Sequence, residues 1–178
     1  MKKMKKIKII LGKLLYKIIG TRLPISYSRI NIGQRKFRAF CGKLMLAECG
    51  KDVNIEPKAN ISEKVHLGDR SGIGINADIC GTTFIGNDVM MGPNCTIYTQ
   101  NHRFDDLTVP MNRQGFEEER PVYIGDDVWL GGNVTILPGV KIGSHCVIGA
   151  NSVVTKDIPQ WAVAVGNPAT VKKFRNQQ

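Results

Sequence analysis

The chain has 178 residues, 42% of them hydrophobic, with a formal net charge of +10. This allows one domain, or one domain with an appendage. The charge excess is local: residues 1–17 hold seven lysines and no acid, and the rest is only mildly basic, which excludes a whole-surface nucleic-acid binder.

The first predicted element is helical. Met4, Ile7, Leu11, Leu14 and Ile18 recur at a 3-4-3-4 spacing and share one stripe, with Lys2, Lys6, Lys13 and Lys17 opposite. Gly20 is a stop. The apolar run Ile9 to Ile19 is interrupted by Gly12, Lys13 and Lys17; it is too short and too charged to span a bilayer, and no small-residue cleavage site of a signal peptide comes after it. Two readings stand: a helix in peripheral contact with an anionic membrane through residues 1–20, or a helix packed on the main domain or on a partner subunit with its lysines in water. A second helical patch places Phe37, Phe40 and Leu44 on one face, expected to pack on the domain that begins near residue 49. Residues 1–48 thus read as an N-terminal basic amphipathic helical segment.

From residue 49 a six-residue period takes over. Ile55, Ile61, Leu67, Ile73, Ile79, Ile85, Met91 and Ile97 are large and aliphatic. The residues four further on (Ala59, Val65, Ser71, Ala77, Thr83, Val89, Cys95, Asn101) are small or medium. The phase restarts at Ile124 and runs through Leu130, Ile136, Ile142, Ile148 and Val154. Neither a strand period of 2 nor a helix period of 3.6 sustains this. Three short flat strands per turn do, with the aliphatic residue filling a prism-shaped interior and glycine at tight corners. The count predicts an all-β coil of about five turns over residues 49–170. Five scattered cysteines (Cys41, Cys49, Cys80, Cys95, Cys146) without C-x-x-C spacing fit reduced thiols in a cytoplasmic protein better than disulfides or zinc.

The period fails between His102 and Ile124. Residues 103–123, polar and containing Pro110, Gly115 and Pro121, form a protruding loop, and a loop of that length is usually functional or disordered. His102 precedes it directly. From the period alone, a catalytic histidine and a surface histidine at a loop edge are equally admissible.

Hexads of the type aliphatic-Gly-x-x-small-x resemble the left-handed parallel β-helix of the hexapeptide-repeat acyltransferases. MGPNCTIYTQNH, PVYIGDDVWLGGNVTILPGVKIG and IGANSVVTKDIP are similar to the maltose, galactoside and polysaccharide O-acetyltransferase branch. The resemblance implies acetyl-CoA as acyl donor, no metal, and His102 as the general base. A neutral imidazole can take a hydroxyl proton near pH 7 and return it to the leaving thiolate. It implies Trp129 and Asn76 as acceptor-side contacts, Gly132 and Ala150 where main chain meets the pantetheine arm, and Thr155, Lys156 and Lys173 around the nucleotide. It also implies a homotrimer with active sites between subunits. In WAVAVGNPATVKKF it implies a terminal strand and turn, with a short C-terminal helix from Val171 capping the coil over residues 171–178. Position 74 is glycine where small-sugar enzymes tend to carry a first asparagine, and Cys80 to Thr83 lacks acids found there. The expected acceptor is therefore a sugar hydroxyl of a cell-surface polysaccharide or its lipid-linked precursor, modified in the cytoplasm or at the inner face of the membrane. The rivals are a small sugar, an antibiotic alcohol, serine or a nucleotide-sugar amine, and, in another class, a non-catalytic scaffold. A zinc site is not expected: His66 shares the hexad position of His102 two turns away, about 10 Å at the ordinary strand spacing, and His145 lies elsewhere. His66 and His145 read as solvated or locally hydrogen-bonded.

Overall fold

The computed structural model describes residues 2–177; Met1 and Gln178, the outermost positions of the predicted first and last segments, lie outside the described residues. Helix α1 (Lys2–Leu15) runs on through a π-helical turn, Tyr16–Gly20, and after an irregular stretch helix α2 spans Gln34–Met45. A triangular parallel β-helix comes next. Face A carries strands at Glu48–Cys49, Val65–Leu67, Thr83–Ile85, Val122–Ile124 and Lys141–Ile142. Face B carries Asn54–Ile55, Gly72–Ile73, Met90–Met91, Trp129–Leu130, Val147–Ile148 and Ala162–Val165. Face C carries Asn60–Ile61, Asp78–Ile79, Thr96–Ile97, Thr135–Ile136 and Val153–Val154.

The hexad logic holds residue by residue. Each aliphatic position points inward and is buried, and of the fourth-on partners Val65, Ala77, Val89, Cys95, Val128, Val134, Val140 and Cys146 sit beside it at 3% exposure or less, whereas Asn101, where the arm begins, is exposed. Burying each of these Ile, Leu or Val side chains contributes about 1.5–3 kcal/mol. The five predicted turns occupy the predicted residues, from Glu48–Cys49 to Val153–Val154, and a partial sixth is added: Ile158 bridges Ile142 on face A and Ala162–Val165 pairs with Val147–Ile148 on face B.

The corners explain the non-glycine residues at positive φ. Asp52, Arg70, Asp88, Asp127, His145 and Trp161 turn the A–B edge, and Lys58, Asn76, Asn94, Asn133 and Asn151 turn the B–C edge. Asn and Asp tolerate this conformation best among side-chain-bearing residues. At Gly131 no side chain fits at all: a Cβ would lie 2.5 Å from Ala150 N in the next turn.

Two expectations are corrected. The segment after the terminal turn is not a helix. Thr170–Phe174 is a strand that pairs antiparallel with Ala162–Val165. Folding back as a strand satisfies the open edge of face B, which a helix would leave unpaired. The second helix also packs differently: Arg38, Cys41, Gly42 and Met45 are its buried side, while Phe40 is exposed. Arg38 is buried because its guanidinium is saturated. It donates to the carbonyls of Ile55 and Pro24 and to Ser26 Oγ, and it pairs with Glu56 at 3.3 Å. Tyr16 completes this junction, donating to Glu56 O and accepting from Ala59 N; burial raises its phenol to about 12.

Candidate active site

The loop after the third turn is an arm with a hydrogen-bonded neck. Arg120 N donates to Thr99 O, Glu117 N to Asn101 O and Arg103 N to Gly115 O, at 2.7–3.0 Å. The coil resumes at Val122, two residues before the point set by the period. The neck arises from sequence chemistry at its base. Gly81, at φ +64, leaves room for Thr99 and Glu119. Glu119 accepts from Thr82 N at 2.6 Å and pairs with Lys64 at 2.6 Å, and the Lys64 hydrogen bond pulls its carboxyl down to about 2.

His102 sits on this neck, exposed, in an isolated bridge with Phe116. Its ring lies on the Phe116 ring at 4.2 Å, tilted 32°. Among the described residues no hydrogen bond engages the imidazole. The shared column expected for His66 and His102 is not formed. Tyr123 occupies the slot above Phe84, since the arm carries His102 off the prism and the returning chain fills the vacancy. That column is Glu48, His66, Phe84, Tyr123 and Lys141. His66 holds Glu48 at 3.1 Å and stacks on Phe84, which stacks on Tyr123. His145 holds Asp127 at 3.0 Å and stacks on Trp161 at 4.0 Å.

The other sequence-predicted residues sort onto two edges of the prism. Asn76 (second turn), Gly132 (fourth) and Ala150 (fifth) lie on the B–C edge; His102 (end of the third) and Thr155 with Lys156 (end of the fifth) lie on the C–A edge. Trp129 projects from face B between Met90 and Val147, half exposed. Lys173 is exposed on the terminal strand opposite Val163. Along the coil axis Asn76 comes first, Trp129 and Gly132 share the fourth turn, and Ala150, Thr155 and Lys156 belong to the fifth. Gly132 differs from Gly131: a Cβ there meets nothing nearer than Pro93 at 3.5 Å, so the coil does not require glycine at 132.

Asn76 ends a ladder of amides that reaches Asn94, Asn133 and Asn151 by hydrogen bonds of 3.0–3.1 Å. Its Nδ2 is given to Asn94, and its Oδ1 accepts no hydrogen bond among the described residues. The signal for this ladder was in the sequence: asparagine at every eighteenth position once the arm is excised. Two features had no sequence signal. One is the Glu119 clamp. The other is a cavity of ≈370 Å³ on face B beside Met90, lined by Tyr27, Arg35, Arg70 and Gly72. A larger cavity, ≈760 Å³, lies away from these residues between α1 and the first turn.

A triangular parallel coil with an exposed histidine at the root of a side arm defines a hexapeptide-repeat transferase. The family model described as bacterial transferase hexapeptide (six repeats) matches residues 121–156. The chain is 43% identical over 139 residues to galactoside O-acetyltransferase of Lactococcus lactis, covering 75% of this chain and 66% of that one. It is 37% identical over 163 residues to galactoside O-acetyltransferase of Escherichia coli, covering 89% and 79%. A solved galactoside acetyltransferase in complex with coenzyme A superposes with a TM-score of 0.79 at 32% identity, covering 97% of this chain and 82% of that one. The chain belongs to the hexapeptide-repeat acetyltransferase family. It spans 46–66% of the length of four curated relatives it matches.

Proposed function

We propose that the protein is an acetyl-CoA-dependent O-acetyltransferase acting on a sugar hydroxyl, with His102 as general base. The observation that carries this is the open imidazole at the neck of the arm, in a chain 37% identical over 163 residues to a galactoside O-acetyltransferase. His102 takes the proton of the acceptor hydroxyl as its oxygen attacks the thioester carbonyl. It returns that proton to the thiolate when the C–S bond breaks, so no covalent enzyme intermediate is needed. Gly132 and Ala150 leave main chain accessible for the pantetheine amides, which the absence of any packing need for glycine at 132 supports. Thr155, Lys156 and Lys173 then meet the nucleotide end, lysine acting as a point charge for phosphate.

The two edges meet across neighbouring copies in a homotrimer. Phe104, Leu107, Met111 and Phe116 on the arm are more than half exposed, as expected of a surface completed by another chain. The acceptor lies against Trp129 and the Asn76 carbonyl. We read it as a cell-surface polysaccharide or its lipid-linked precursor, on the cytoplasmic side. The relatives' names favour a second reading, a small galactoside or maltose-type sugar.

Thiol release from acetyl-CoA, measured over an acceptor panel of polysaccharide repeat units, lipid-linked glycan, galactoside, maltose, serine, an antibiotic alcohol and an amino sugar, separates these. The glycan acceptors should give the highest kcat/KM. Fastest turnover with a small galactoside would transfer the assignment to the second reading, and no turnover with any acceptor would favour a scaffold.

A further inference from the structure

Charge is segregated along this chain. Residues 1–47 hold 13 Lys and Arg and no Asp or Glu, whereas residues 48–178 hold 12 Lys and Arg against 15 acids. The helical end is therefore strongly basic and the coil slightly acidic.

Helix α1 packs through an unexpected face. Gly12 lets it approach α2 closely: a Cβ there would lie 2.7 Å from Leu44 Cβ and 3.0 Å from Cys41 O. Tyr16 and Gly20, one and two turns on, are buried with it. At 100° per residue, the side opposite this contact is Ile7, Ile10, Leu11, Leu14 and Ile18. These five are 57, 57, 47, 52 and 51% exposed. A surface helix normally turns such a stripe to its own core; here Ile7, Leu11 and Ile18 point away from it, while Ile10 and Leu14 flank the cavity between the helix and the first turn. Lys6, Lys13 and Lys17 line one margin of the stripe and Lys8 the other, all with long stems able to lie along apolar surface while the ammonium stays wet. Glu63 engages Lys13 alone among these. The ≈760 Å³ cavity opens beside the same helix, with Ile10, Leu14, Met45 and Ile61 in its walls together with Lys13, Lys17 and Lys58.

We infer that α1 docks this protein on a lipid bilayer with an anionic surface, the stripe entering the acyl boundary and the lysine margins meeting the headgroups. Charge opposes a second copy brought stripe to stripe, which would juxtapose two ends, each with 13 basic residues and no acid; a neighbour's coil, with 12 Lys and Arg against 15 acids, offers little to the lysine margins, and a nucleic acid would meet five aliphatic side chains. An anionic lipid surface complements both the stripe and its margins. The inference does not depend on the acceptor, and it would set the active site beside a lipid-linked one.

Co-sedimentation of the full chain with vesicles tests it. The protein should bind phosphatidylcholine vesicles containing roughly a third phosphatidylglycerol, should not bind phosphatidylcholine alone, and should be released by salt at about 0.5 M. Lys6→Gln/Lys8→Gln/Lys17→Gln should lower partitioning about 100-fold, at roughly a factor of five per lysine. Ile7→Ser/Leu11→Ser/Ile18→Ser should abolish binding with unchanged circular dichroism, since all three are exposed and none lines the cavity against the coil. That serine variant should retain wild-type thiol release with a soluble acceptor, so failure of membrane docking and failure of the catalytic reading are separately visible. The inference is overturned if wild type ignores anionic vesicles, if the serine variant still binds them, or if that variant drops in oligomeric mass because the stripe joins two copies.

Discussion

Glu119 ties the arm to the coil, and Glu119→Gln tests whether that tie holds His102 in place. Its Oε1 accepts from Thr82 N at 2.6 Å and from Thr99 Oγ1 at 3.4 Å, and its Oε2 pairs with Lys64 Nζ at 2.6 Å. The Lys64 hydrogen bond, helped by the Thr82 amide, depresses the carboxyl to about 2. A depressed carboxylate contributes stability that is complete above its ordinary value of 4.5 and is lost as pH falls toward 2. Taken at face value the shift is worth about 3 kcal/mol. The Lys64 end is more than half exposed, so solvent screening reduces this to about 1–2 kcal/mol. Glutamine keeps the shape and the acceptor for Thr82 while removing the charge. Thermal unfolding of the variant at pH 7 should therefore fall by about 2–8 °C. The gap to wild type should shrink by at least half at pH 3. Turnover at pH 7 should fall with it, since the neck positions the histidine. A gap of equal size at pH 7 and pH 3 would refute the electrostatic account of the clamp.

Single contacts set the other expected outcomes. Phe116→Ala removes the ring that orients His102; kcat should drop about tenfold while KM for acetyl-CoA holds, and Phe116→Tyr should restore it. Gly131→Ala should destabilise by about 2 kcal/mol or more, because its Cβ would strike the backbone of the next turn. Gly132→Ala should leave the melting temperature within error yet raise KM for acetyl-CoA; a matching loss of stability would remove the reason to assign that glycine to the donor. Arg38→Met strands the buried Glu56 carboxylate and should cost about 3–5 kcal/mol in denaturant titrations. A cost below about 1 kcal/mol would show that Glu56 finds other partners.

The coil was legible because one residue type must recur wherever three flat strands enclose a narrow prism. Ile55 through Val154 announce it at a strict period. The first turn was legible from Ile55 and Ile61, with Cys49 in phase before them; the final strand on face B was not, because Ala162–Val165 continues out of phase with the hexads. The terminal strand was hidden since Val171, Lys172 and Lys173 carry no periodicity, and only the open edge of face B dictates their conformation. Helix α1 was legible as amphipathic, but which side packs was not. Gly12 and Tyr16 set it through a close approach to Leu44 and hydrogen bonds to the coil, and neither appears in an apolar pattern. At the candidate site, His102 was placed by the end of the period. Its displacement from the His66 column depended on where the returning chain resumed, which a count of hexads cannot tell.

Acetyl transfer by wild type and His102→Ala, monitored by thiol release and by mass spectrometry of the acceptor and the protein, tests the central claim most directly. The expected products are an acetyl ester on a sugar hydroxyl and an unmodified enzyme, with turnover about 10²–10⁴-fold lower in the variant and acetyl-CoA still bound. Wild-type turnover by His102→Ala, or an acetyl group found on the protein as an intermediate, would contradict it.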